Sequence, residues 1–426
     1  MDLIMKLVRE GNATDRYFHW DDLRRRTPPN GATATEWWFA LKIMRSTGRH
    51  SLRLVGTDGI PFSFVTPSEV LAALHRVDIG AGSNIIHSDP LLTPSDRDRY
   101  ITSSLIEEAI TSSQLEGATT TRVVAKELIR SRRKVRDRSE QMILNNYLTM
   151  ERIRELRSDD LTPELVLELH RIVTEGALDD PSAAGRLRRA EESVAVMRAE
   201  NVVFHQPPPA SELLARLKAM CEFANGTSSP SKGSAFVHPV VRAIALHFWL
   251  AYDHPFVDGN GRTARALFYW SMLRSGYWLF EFVSISRLLL RAPTAYARSF
   301  LLTETDENDL TYFIIHQTQI VMKAIDDLQA YIQAKSAESR ALRADLKQMR
   351  TLNHRQQALV GHALKYAHAE YTIEVHRSSH DVTYATARAD LLQLVELGLF
   401  VKAKHGRKFV FEATPDLERQ LRKSGP

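Results

Sequence analysis

Apolar positions in this chain fall mostly at helical spacing, and strand-like alternation is confined to a few short stretches. Residues 243–252 carry apolar side chains at helical spacing and predict a helix running up to His254. Trp37, Trp38, Phe39 and Leu41 open another helix-like stretch, whereas residues 52–64 have strand character broken by Gly56 and Gly59. Residues 194–197 and 201–204 bring β-branched side chains to either side of a polar turn at 198–200, which predicts a hairpin. Residues 226–233, rich in Ser and Gly, read as a loop. The basic run from Arg130 to Arg138, with Asp137 as its one acid, reads as a solvated helix face joining two core helices. Residues 326–350 are charged and strongly helical, suiting a connecting helix.

Toward the C-terminus the pattern predicts helices at 355–367, 373–379 and 383–396, the last ending at Gly398. Strands at 399–404 and 408–411 then flank His405-Gly406-Arg407, which completes a winged helix-turn-helix. The expected fold class is mostly α, and Pro90 and Pro94 mark a first boundary. The division is an N-terminal region at 1–94 with a packing or target-recruiting role, a core at 95–330, a connecting helix at 331–350 and the winged helix at 351–426.

The chemistry concentrates in one run, His254-Pro255-Phe256-Val257-Asp258-Gly259-Asn260-Gly261-Arg262-Thr263-Ala264-Arg265. Binding a polyphosphate calls for backbone N–H donors, a cation and guanidinium groups. Gly259 and Gly261 lack Cβ, so the backbone can take positive φ and approach a phosphate closely. Asn260 between them can add a side-chain donor. Arg262 and Arg265, three residues apart, share a face if a helix starts here, and guanidinium pairs grip charged oxygens more specifically than lysines do. Asp258 is placed to hold Mg²⁺, and His254 can take a proton from an attacking hydroxyl near neutral pH.

Other readings of this run fail. Gly259-x-Gly261-x-x-Ala264 fits a dinucleotide fingerprint, but a helix precedes it where that fingerprint needs a strand. An EF-hand loop fails at Arg262, at Thr263 where glycine is needed and at Tyr269 where the bidentate acid belongs. The chain has no GxxxxGK[ST] phosphate loop.

The run matches the HxFx(D/E)GNGRxxR signature of the Fic family at every specified position, and residues 238–248 resemble that family's pre-motif helix. The resemblance implies an α-helical Fic core with a small β-hairpin flap, and transfer of AMP from ATP to a protein Ser, Thr or Tyr hydroxyl with release of pyrophosphate. It implies His254 as general base, Phe256 as a packing anchor and Asp258 as the Mg²⁺ ligand. Gly259, Asn260 and Gly261 would form the anion hole, and Arg262 and Arg265 would contact the β- and γ-phosphates. Ser112-Ser113-Gln114-Leu115-Glu116-Gly117 fits the family's inhibitory motif (S/T)xxxE(G/N) through Ser112, Glu116 and Gly117. Ser112 and Glu116 share one helical face and Gly117 is a helix stop. In similar proteins the glutamate pairs with the second motif arginine, here Arg265, and restrains the enzyme; in some it also supports removal of AMP. The hairpin at 194–204 resembles the family's flap, which aligns a target segment by strand-like pairing.

Composition adds little: 44% apolar and 25% charged residues describe an ordinary globular protein. One cysteine, Cys221, excludes an intramolecular disulfide and points to a reducing compartment, so the expected location is cytoplasmic. No apolar run approaches the ~18 residues of a membrane span. Eleven basic against eight acidic residues in 351–426 leave room for DNA binding. Tyr384, Thr386 and Arg388 would then reach the groove, with Lys402, Lys404, Arg407 and Lys408 on phosphates. Only Arg388 is charged on that face, which favours a protein-interaction or dimerisation module. The alternatives are thus a winged-helix transcription regulator, or a transferase using another phosphate-containing donor. Self-modification is a further expectation, as is a homodimer.

Overall fold

A computed structural model describes residues 2–9, 16–82, 94–192, 194–198, 202–226, 236–349, 351–366, 369–405 and 408–423. They form two compact units, one of residues 1–83 with 102–326 and one of 84–101 with 327–426.

Early in the first unit, helix α1 (Ala34–Ser46) starts in a capping box. Glu36 N–H donates to Thr33 Oγ1 at 3.2 Å, and Thr33 N–H donates to Glu36 Oε2 at 2.8 Å. Strands β1 (His50–Val55) and β2 (Pro61–Phe64) then form an antiparallel hairpin with His50 opposite Phe64. Phe62 is fully buried against Phe248 and Tyr252, with ring centroids 5.1 and 4.9 Å away. Thr57 N–H donates to the Tyr252 hydroxyl at 2.9 Å. This corrects the expectation of a separate region through residue 94. The strand-like stretch lays its apolar side on the helix that leads into the motif, so residues 1–83 share a unit with 102–326. Pro90 lies outside the described residues.

Helices α2 (Ser68–Gly82), α3 (Pro94–Leu115), α4 (Arg122–Ser131), α5 (Arg138–Glu155) and α6 (Pro163–Thr174) come next. After β3 (Val196–Arg198) and β4 (Val202–His205) come α7 (Leu213–Ala224), α8 (Pro239–Asp253), α9 (Asn260–Arg274), α10 (Pro293–Glu304) and α11 (Thr311–Gln348). Helices α8 and α9 pack together at the centre. Burial runs unbroken from Val240 to Leu250 in α8 and from Arg262 to Leu273 in α9. A helix buried on all sides lies inside a core, and Phe248, Trp249, Phe268 and Trp270 fill the space around these two.

The basic run is a loop between helices, not a continuous helix face. α4 ends at Ser131, Arg132 takes φ 52°, and Asp137 restarts the chain by accepting Glu140 N–H at 2.8 Å. The predicted hairpin is β3 and β4, paired Val196 to His205 and Arg198 to Val202; its turn at 199–201 lies outside the described residues, as do 227–235. The expected connecting helix is the C-terminal part of α11, which begins further back, at Thr311.

In the second unit, α12 (His354–Lys365), β5 (Glu370–Tyr371), α13 (Ile373–His380) and α14 (Tyr384–Glu396) precede β6 (Phe400–His405) and β7 (Lys408–Ala413). The sheet order is β5-β7-β6, antiparallel throughout. Val360, Ala387, Leu391, Leu394, Phe400 and Phe411 make its core. Asp390 ties three helices together by accepting from Asn353 Nδ2, Arg355 Nε and His376 Nε2 at 2.7, 2.7 and 3.1 Å. Gly406 and Arg407 at the expected wing tip lie outside the described residues.

Candidate functional site

The connection from α8 to α9, residues 254–259, is held from several sides. Asp253, the last residue of α8, accepts from Arg216 Nε at 2.8 Å and from Trp249 Nε1 at 3.0 Å. His254 then takes φ 45°, a left-handed conformation uncommon for a residue with Cβ, and its N–H closes the helix on the Leu250 carbonyl at 3.0 Å. Its Nδ1 lies 3.2 Å from the Ala251 carbonyl, an acceptor only, so Nδ1 carries the hydrogen and Nε2 is left as the basic nitrogen. Burial lowers the pKa of His254 below its ordinary value, partly opposed by the Ala251 carbonyl. Arg188 braces the same turn, donating from Nε to the His254 carbonyl at 3.0 Å and from its backbone N–H to the Pro255 carbonyl at 2.9 Å.

Phe256 is fully buried and stacks on His170, with centroids 3.7 Å apart. Gly185 N–H donates to His170 Nδ1 at 3.0 Å, which places the ring hydrogen on Nε2, where it donates to the Asp258 carbonyl at 2.9 Å. Burial takes the His170 pKa down to about 4, so the ring is neutral at physiological pH. Asn260, read from the sequence as a phosphate donor, also binds its own loop. Its Oδ1 accepts Phe256 N–H at 3.0 Å and its Nδ2 donates to the Phe256 carbonyl at 2.8 Å, so the side chain staples the loop. The backbone N–H groups at the start of α9 and the second Nδ2 hydrogen of Asn260 are left for an anion.

The two glycines serve different ends. Gly259 takes φ 84° as expected, and a Cβ there would come within 2.7 Å of Thr174 Cγ2. Gly261 is helical, without the positive φ its type allows. Its bare Cα makes room for a neighbour: a Cβ would stand 2.1 Å from Glu116 Oε1. The carboxylate of Glu116 therefore lies against the first turn of α9, where an anion is favoured by exposed N–H groups and the helix dipole.

The segment carrying Ser112 and Glu116 meets the second motif arginine. Arg265, buried to 2% exposure, donates from Nε to Ser112 Oγ at 2.8 Å and from Nη2 to the Ser112 carbonyl and Glu116 Oε1, both at 2.9 Å. Gly117, at φ 91°, ends α3. Its N–H bonds the Gln114 carbonyl and Ala118 N–H bonds the Ser113 carbonyl, the paired closure that needs a left-handed residue. Arg262 is buried too, donating from Nη1 to the Val173 carbonyl and from Nη2 to Asp258 Oδ1, each at 3.2 Å.

Asp258 Oδ2 accepts from Arg138 Nη2 at 3.2 Å, so both carboxylate oxygens face guanidinium groups. Among the described residues no group of three or more potential metal ligands occurs. A single half-exposed carboxylate suits Mg²⁺ carried in on a nucleotide, which keeps phosphate oxygens and waters, rather than a cage made by protein alone. The roles of His170, Arg188 and Arg138 and the stapling by Asn260 escaped the sequence reading. The first three have partners 66 to 120 residues away along the chain, and Asn260 bonds Phe256 four residues back only because the loop folds on itself. Tyr384, Thr386 and Arg388 belong to the second unit; Tyr384 and Arg388 are exposed, and Thr386 shares a hydroxyl contact with Thr383 at 2.9 Å.

Residues 160–272 match the Fic/DOC family. The chain is 32% identical over 168 residues to Protein adenylyltransferase Fic from Drosophila melanogaster, covering 38% of this chain and 31% of that one. It is 34% identical over 119 residues to Protein adenylyltransferase fic-1 from Caenorhabditis elegans, covering 28% and 20%. The matches thus span about a third or less of these relatives' lengths. A solved structure of a Fic family protein from Desulfovibrio desulfuricans G20 resembles this fold with a TM-score of 0.52 at 19% identity, over 80% of this chain and 96% of that chain.

Proposed function

Residues 160–272 belong to the Fic/DOC family, and from that premise we propose that this protein transfers AMP from ATP to a hydroxyl of a target protein and restrains itself through Glu116. The observation that carries the reading is a carboxylate already seated in the anion site: Glu116 lies against Gly261 and is bonded to Arg265. A carboxylate lying where the motif would bind phosphate supports both parts of this reading.

In the proposed reaction the target oxygen attacks the α-phosphorus and its proton passes to Nε2 of His254. The bond from the α-phosphorus to the bridging oxygen breaks, and pyrophosphate leaves. The start of α9 and Arg262 hold phosphate oxygens, and Arg265 joins them once Glu116 moves away. Mg²⁺, held by Asp258 and the phosphates, would supply charge neutralisation for the leaving group. For that, Arg138 or Arg262 has to yield a carboxylate oxygen. The β3–β4 hairpin would serve as the flap for the target segment, a role supported by its tie to the end of α8, where His205 Nε2 donates to the Tyr252 carbonyl at 2.6 Å. Reversal by a Glu116-oriented water and self-modification belong to the same reading.

We assign the C-terminal unit the winged-helix role of protein recognition; α14 carries Arg388 as its one basic residue, which does not favour DNA. The test uses Glu116→Gly with ATP labelled at the α- or at the γ-phosphate. Protein should retain label from the α position only, and Glu116→Gly/His254→Ala should retain none. Label retained from the γ position, or none from either, would overturn the assignment.

A further inference from the structure

Glu108 sits on α3, eight residues before Glu116, and no motif singles it out. Residues 108, 112 and 116 recur every four positions, so they line one side of α3, and across from them Tyr269, Arg265 and Gly261 recur every four along α9. Three rungs connect the helices: Glu108 to Tyr269, Ser112 to Arg265, and Glu116 to Arg265 beside Gly261. The rung farthest from the site is fully enclosed. Glu108 is 2% exposed, and no ion pair to it occurs among the described residues.

In place of a cation Glu108 gathers neutral donors. Its Oε2 accepts from the Tyr269 hydroxyl at 2.9 Å, Ser284 Oγ at 2.8 Å and Ser286 N–H at 3.1 Å, and its Oε1 accepts from Ser286 Oγ. Tyr269 is itself fixed, since its oxygen accepts Ile285 N–H at 2.8 Å. A carboxylate buried among hydroxyls costs desolvation that an apolar side chain would avoid, so what it contributes is direction: donors from α9 and from residues 284–286 meet at one point. A slip of α3 along its axis would break all of these bonds together.

We propose that Glu108 is a positioning residue for the restraint: it fixes where α3 lies along α9 and thereby sets Glu116 against Arg265. This rests on the proposed function, in which the Glu116–Arg265 contact limits AMP transfer. Loss of the acceptors at 108 loosens that contact without touching His254, Asp258 or the loop between α8 and α9.

The test is AMP incorporation from α-labelled ATP by Glu108→Gln, alone and combined with Glu116→Gly, together with amide hydrogen exchange on the same proteins. Alone, Glu108→Gln should raise incorporation about tenfold, the result of a ~1.4 kcal/mol change in the restraint. On the Glu116→Gly background it should change the rate less than about twofold, because no restraint is left to release. Exchange at Gly117 and Ala118 should quicken. A residue that merely stabilised the fold would lower the rate on both backgrounds. Unchanged incorporation and exchange in a folded Glu108→Gln protein, or the same fold-change on both backgrounds, overturns the proposal. Ser284→Ala removes one donor and, should Glu108→Gln not fold, is expected to show the same pattern more weakly. If Glu116→Gly itself transfers no AMP, the proposed function fails, while the exchange measurement still decides whether Glu108 sets the position of Glu116.

Discussion

At the scale of single residues, the protonation of two histidines yields predictions of definite sign. Burial lowers the pKa of His254, so it stays a neutral base below its ordinary value of 6.5. In the Glu116→Gly protein the rate of AMP transfer should therefore hold steady as pH falls through 6.5 and drop only below it. A pH–rate profile measures this, and a break above 6.5 would contradict it. His170 has a folded pKa of about 4 against an ordinary 6.5, so between those values the unfolded chain binds the additional proton. Its contribution to stability is complete above about 6.5 and is lost as pH falls toward 4, up to ~3 kcal/mol in all. Urea unfolding at pH 7 and pH 5 should show a smaller acid loss in His170→Gln than in the unaltered chain.

The motif residues were legible in the sequence because their chemistry lies within one short run. The stapling by Asn260 was not legible, because the partners of its amide depend on how the loop folds back on Phe256. His170 and Glu108 left no trace at all. Each reads as an ordinary helical position until a partner distant in sequence is brought beside it.

At the scale of elements, the end of α3 decides where Glu116 points. Gly117 holds φ 91° with open space around its Cα, so a methyl group there meets no neighbour and only the backbone conformation is strained. Gly117→Ala should cost ~1–2 kcal/mol, seen as a lower melting temperature, because a left-handed residue with Cβ carries about that penalty. Helical period and hairpin pattern made β3, β4 and the C-terminal elements readable within a residue or two, and α8 to within four. The basic run misled because Arg132 turns left-handed and Asp137 caps the following helix, local choices that override a charged, helix-compatible sequence.

At the scale of the whole molecule, the N-terminal hairpin belongs to the unit that carries the site. Pro90 and Pro94 suggested a boundary, but Phe62 meets Phe248 and Tyr252 on α8, and such a contact has no local signature. Phe62→Ala should destabilise the protein by ~3–5 kcal/mol, the usual range for emptying a buried aromatic site, and chemical unfolding would measure it. A loss below ~1 kcal/mol would mean that the hairpin is only loosely applied to the core. The proposed restraint, however, joins the two motifs: the carboxylate of Glu116, just past the end of α3, lies against the first turn of α9 and bonds Arg265. Its most direct test is the ratio of initial AMP-transfer rates of Glu116→Gly and the unaltered chain at saturating ATP and magnesium. The account predicts a ratio of at least about tenfold, with Glu116→Gly/His254→Ala silent. Equal rates for Glu116→Gly and the unaltered chain would contradict it.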